Sequence, residues 1–183
     1  NYIGVSMPKI ANKKEQGASV SFSKTDAEDI NKFLTGAEFK IYTCRNPDPN
    51  HVHEKLASAE SAAKGCWKPV QENGQDKVFV SEGEHGIVDT GLLPYGEYML
   101  VETTAPDGYQ LPDGQWHIVL EKGKYWASNV TVKGKAPEIT YNTQMGTGII
   151  QPCIPNKKKV SVILPDTGGT GTTALYLFGL VLL

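Results

Sequence analysis

Short runs in which apolar and polar residues alternate, each closed by Gly, Pro, Asn or Asp, set what this chain can fold into. The clearest is Ala18-Ser19-Val20-Ser21-Phe22-Ser23-Lys24, where Val20, Phe22 and Lys24 share one parity. That is the period of a half-buried strand. Residues 36–42 repeat it, and shorter stretches follow at Val78-Phe79-Val80 and Gly86-Ile87-Val88. Residues 96–102 form a strong strand pattern with Tyr98, Leu100 and Glu102 on one face; residues 116–120, 129–132 and 139–142 complete the series. About seven short strands separated by turn residues predict an all-β, Ig-like sandwich.

Composition narrows the function. Eighteen Lys and Arg against 20 Asp and Glu give a net charge of −2, so the chain lacks the basic excess that nucleic acid attracts. Hydrophobic residues at 39% suffice for a core. Residues 1–17 are polar, with Lys9, Lys13 and Lys14, and read as a linker or the end of a preceding domain. The sandwich is assigned to 18–150. Within it, residues 45–76 read as an insertion whose Ala-, Glu- and Lys-rich stretch 54–64 predicts a short helix. Gly, Pro and the Lys157-Lys158-Lys159 run mark 151–163 as a linker, ahead of a last segment, 164–183. With no initiator Met, and an apolar run at its end short of the roughly 20 residues that span a membrane, the chain is expected to be a piece of a longer protein.

Lys24 stands out within this pattern, because an ammonium on the inward face of a strand is costly to bury unpaired. A second segment, Tyr98-Met99-Leu100-Val101-Glu102-Thr103-Thr104-Ala105-Pro106-Asp107-Gly108-Tyr109, resembles the Y-x-L-x-E-x-x-A-P-x-G-Y box of Cna B-type domains, the stalk modules of Gram-positive adhesins and pilins. Phe22-Ser23-Lys24-Thr25-Asp26, Gly36-Ala37-Glu38-Phe39 and Tyr141-Asn142-Thr143 are similar to that family's first, second and last strands. The resemblance covers 18–144.

It implies a covalent isopeptide bond from Lys24 to Asn142, assisted by Glu102. A buried, protonated Glu102 polarises the asparagine carbonyl and shuttles protons as ammonia leaves. This is a single intramolecular event driven by proximity, so no turnover enzyme is expected, and no cofactor or metal. Asn142 lies on the parity of Thr140 and Glu138, opposite to Ile139 and Tyr141, so a bulge is required to turn it inward; Asn129 is the alternative acceptor.

Leu164-Pro165-Asp166-Thr167-Gly168 is similar to the L-P-x-T-G signal cut by sortases. The likeness implies cleavage after Thr167 and transfer of its carboxyl to an amine on a neighbouring pilin or on peptidoglycan. Val5-Ser6-Met7-Pro8-Lys9 keeps the Pro-Lys of the pilin motif, making Lys9 the candidate polymerising lysine. The implied protein is a wall-anchored, cell-surface pilus subunit or an adhesin stalk. Its partners are then a sortase, neighbouring subunits or peptidoglycan, and host ligands, with the membrane met only transiently through the C-terminal segment. Of Cys44, Cys66 and Cys153, an extracellular setting favours a Cys44–Cys66 bridge stapling the insertion to the sandwich.

Overall fold

The computed structural model describes residues 17–44, 66–143 and 150–160. Lys9, the helix expected at 54–64 and the 164–168 motif lie outside the described residues. Twelve strands are described: β1 (Gly17–Asp26), β2 (Glu38–Cys44), β3 (Trp67–Pro69), β4 (Gln71–Glu72), β5 (Gln75–Asp76), β6 (Val78–Val80), β7 (Ile87–Pro94), β8 (Gly96–Thr104), β9 (Gly114–Leu120), β10 (Val130–Gly134), β11 (Thr140–Asn142) and β12 (Gln151–Asn156). One sheet runs β11-β12-β1-β7; a second runs β10-β9-β8-β2-β3, with β6 also on β2; β4 and β5 form a small hairpin.

Alternation decides which faces meet. Val20 and Phe22 of β1, Val88 of β7 and Ile154 of β12 pack against Phe39 and Ile41 of β2, Leu100 of β8, and Trp116 and Ile118 of β9. Phe22 meets Phe39 edge-on across the two sheets, ring centroids 5.1 Å apart. Burying side chains of this size contributes about 1.5–3 kcal/mol each. The all-β sandwich is as the alternation predicts. The strands beyond the predicted series include β3 to β5, which fall inside the stretch assigned to the insertion and are too short for periodicity to register.

A larger departure is at the C-terminal side. Residues 151–156, expected as linker, form β12, which lies between β11 and β1. It pairs antiparallel with β11 from Gln151 to Cys153 and parallel with β1 from Cys153 to Asn156. Prolines at 152 and 155 hid this strand, since a missing N–H argues against a ladder interior. Here Pro152 precedes the first β1 pair and Pro155 follows the last β11 pair. Alternation turns each ring nitrogen towards the side where no strand runs, so neither ladder loses a donor.

The chain beyond β12 is held too. Gln110 N donates to Lys157 O at 2.8 Å and Lys159 N to Gly108 O at 2.8 Å, so the sandwich extends past residue 150.

Candidate crosslinking site

β1 brings Lys24 into the core on the parity of Val20 and Phe22, and its side chain is fully buried. β8 brings Glu102 opposite Phe39 of β2. Neighbouring β9 pairs with β8 only as far as Leu100, which leaves room beside Glu102 for a side chain from elsewhere. β12 supplies it. Ile154 and Asn156 share the inward parity, and Asn156 is 2% exposed.

The three polar groups close on one another. Lys24 Nζ donates to Asn156 Oδ1 and to the Ile154 carbonyl at 2.8 Å. Glu102 Oε2 stands 3.4 Å from Lys24 Nζ. Asn156 Nδ2 donates to Glu102 Oε1 at 2.6 Å and to the Gln110 carbonyl at 3.1 Å. The Phe39 ring, its centroid 6.0 Å from Lys24 Nζ, walls one side. Burial dominates the electrostatics, pushing the Lys24 amine down to about 8 against the opposing pull of Glu102. It also pushes the Glu102 carboxyl up, against the pull of Lys24 and Asn156. Both shifts favour the neutral forms. The result is a neutral-prone amine in contact with a primary amide, beside an acid able to move protons.

Lys24 and Glu102 therefore meet as the resemblance implies, but Asn142 does not join them. Asn142 is buried, but its amide donates elsewhere, to Ile30 O at 3.3 Å and Asn31 Oδ1 at 3.2 Å. Asn129 is likewise engaged elsewhere, donating to Val119 O at 2.9 Å. The asparagine at Lys24 is Asn156, inside the stretch that the sequence predicts as linker. The signal for it was the Ile154-Pro155-Asn156 alternation, masked by its prolines.

The rest of the box explains its own residue types. Tyr109 N donates to Pro106 O at 3.0 Å, closing a turn in which Gly108 has φ 80°. That is the left-handed third position of a type II turn, where glycine is favoured. The turn delivers Tyr109 Oη to the buried carboxylate of Asp26 at 2.8 Å. Cys44 ends β2 opposite Trp67, with Cys66 one residue before it. Both are half-buried against the cluster of Tyr42, Trp67, Met99 and Val101.

Comparison with known proteins agrees with the fold. Residues 18–136 match the model of the SpaA prealbumin-like fold domain, well over half of the chain. The chain belongs to that family. As a SpaA prealbumin-like domain it is also similar in structure to the pilus adhesin RrgA from Streptococcus pneumoniae. The two are 20% identical, with a TM-score of 0.56, over 82% of this chain and 16% of that one. A group B streptococcus pilus 2b backbone protein matches at 22% identity and TM-score 0.44, over 79% and 42% of the two chains. The full-length major pilin SpaD from Corynebacterium diphtheriae matches at 19% and 0.44, over 81% and 34%. This SpaA-type chain thus spans less than half the length of each of these structures. Comparison with curated proteins found no match.

Proposed function

We propose that this chain is the stalk domain of a structural subunit of a cell-wall-anchored pilus, held by an autocatalytic Lys24–Asn156 isopeptide bond and assembled by a sortase through Thr167. The observation that carries the reading is the meeting of Lys24, Glu102 and Asn156 in a core site nearly closed to solvent. The neutral Lys24 amine attacks Cγ of Asn156. A C–N bond forms to Nζ, the bond to Nδ2 breaks, and a proton from the amine passes through Glu102 to the departing nitrogen, which leaves as ammonia. Glu102 faces Nδ2, so its chief task is proton delivery to the leaving group.

Topology supports the mechanical purpose. β1 and β12 are parallel, so chain enters at one end of the sandwich and leaves at the other. Tension then runs from Gly17 to Lys24, across the covalent bond to Asn156, and out. Residues 25–155 carry none of it. The Leu164-Pro165-Asp166-Thr167-Gly168 motif supplies the anchoring step and Lys9 the receiving amine, with a Cys44–Cys66 bridge bracing the insertion. A second reading, the stalk of a wall-anchored, host-matrix-binding adhesin, is favoured by the fold likeness to RrgA, a pilus adhesin by name.

Intact mass under reducing conditions tests the bond. The wild type is expected to be one ammonia lighter than its sequence, and Glu102→Ala and Asn156→Ala to match theirs. A wild type at full sequence mass ends the covalent account. Loss of high-molecular-weight polymers on Lys9→Ala supports the backbone subunit; unchanged polymers favour the adhesin stalk.

A further inference from the structure

We infer that the cavity beside Asn156 is the exit for the ammonia released when the bond forms. The inference rests on the crosslinking reading above. A cavity of about 440 Å³ is lined by Ala27, Gln110, Leu111, Ala136, Pro155 and Asn156, among others. Asn156 is thus nearly inaccessible yet forms part of its wall. Its departing nitrogen is hydrogen-bonded to a second wall residue. Nδ2 lies between Glu102 Oε1 and the carbonyl of Gln110, and Gln110 is itself a wall residue.

A backbone carbonyl can only accept a hydrogen bond, so Gln110 holds the Nδ2 end of the amide towards the cavity and leaves the Oδ1 end to Lys24. Gln110 is fixed in that position by its own N–H on Lys157 O and its side-chain amide on Lys158 O, both at 2.8 Å. The carbonyl is a positioning group: it aims the leaving nitrogen and makes no bond in the reaction.

The exit matters because the step balances in both directions. Lysine amine and carboxamide give secondary amide and ammonia, with no other reactant. Ammonia retained against the new amide sits at the high effective concentration of an intramolecular reagent and re-forms the asparagine. Escape into the cavity, whose rim carries exposed Ala27 and half-exposed Leu111, makes the bond permanent.

The test uses the full chain isolated from inclusion bodies in denaturant and refolded by dilution. Folding is followed by tryptophan fluorescence and ammonia loss by intact mass of acid-quenched samples. Ala27→Phe and Leu111→Trp crowd the cavity from its exposed rim. Both are expected to fold at the wild-type rate and lose ammonia roughly tenfold more slowly, because release then waits on a local opening. Asp113→Ala, on the same rim but removing bulk, is expected to keep the wild-type rate. Ammonia loss at the wild-type rate in either crowded variant that folds overturns the exit. A wild type that folds without losing ammonia overturns the crosslinking reading itself, which the crowded variants alone cannot do.

Discussion

Lys24 and Asp26 stand two residues apart on the same face of β1, both almost fully buried, and their surroundings do opposite things to them. Lys24 has a carboxyl and two amide oxygens as neighbours, and burial pushes its amine down to about 8. Asp26 receives the Glu28 amide at 2.8 Å and the Tyr109 hydroxyl at 2.8 Å. The ammonium groups of Lys158 and Lys32 lie 3.3 and 3.7 Å away. Those donors, the Glu28 amide foremost, outweigh burial and hold the Asp26 carboxyl down at about 2. Low exposure alone therefore does not set the chemistry. Lys24, set deep in the core, is driven towards neutrality; Asp26, covered but within reach of half-exposed Lys32 and Lys158, keeps its charge and serves as a fastening. Asp26 fastens the chain leaving the sandwich, since Lys158 lies just beyond Asn156.

The widest separation between the two groups is expected in stability. On the proposed reading, Asn156→Ala removes a crosslink between residues 132 apart, and closing a loop of about 100 residues constrains the unfolded chain by about 4–5 kcal/mol. Denaturant unfolding of the variant beside the wild type measures that loss. If Asn156→Ala costs no more than a change at Asp26, the contrast between a covalent and an electrostatic tie collapses.

Asp26→Ala is expected to cost less, about 2–3 kcal/mol, for a covered charged acceptor removed from its donors. Its purified product is still expected to be one ammonia lighter than its sequence. A variant that folds at full sequence mass shows instead that Asp26 helps seat Asn156 for reaction, and that the two clusters act as one.

A smaller effect separates the two in pH. The folded Asp26 carboxyl sits near 2, below its ordinary 3.8, so its contribution is complete above about pH 4 and is lost as pH falls towards 2. Asp26→Asn is expected to flatten the stability curve across that window relative to the wild type. The Lys24–Asn156 tie, once formed, has no proton to gain there. Unfolding midpoints of the two proteins at pH 2, 3 and 4 check this; parallel curves contradict the assigned Asp26 pKa.

The same contrast explains what was legible in the sequence. Lys24 and Glu102 were readable because alternation in β1 and β8 is strong, and a charged residue on an apolar parity stands out. Asp26 escaped notice, since its role depends on donors from Tyr109, far along the chain, and from Lys158 in a supposed linker. β12 escaped for a related reason. Its prolines speak against a strand locally, and only the ends of its two ladders show that both are harmless. Parity did carry a warning about Asn142, which shares it with the polar Thr140 and Glu138, against the role that the resemblance implied.

Asn142 itself provides the mildest test and the sharpest one for the assignment. Asn142 is itself buried, and its amide meets Ile30 O and Asn31 Oδ1 at 3.2–3.3 Å, away from Lys24. Losing such bonds costs about 1 kcal/mol. Asn142→Ala is therefore expected to shift the unfolding midpoint only slightly and to leave the loss of ammonia intact. Asn156→Ala abolishes that loss on the same reading. Intact masses of the two variants, measured side by side, decide between neighbouring strands that carry the same residue type. If Asn142→Ala keeps its ammonia and Asn156→Ala loses it, the acceptor is on β11 and the placement of β12 against Lys24 is wrong.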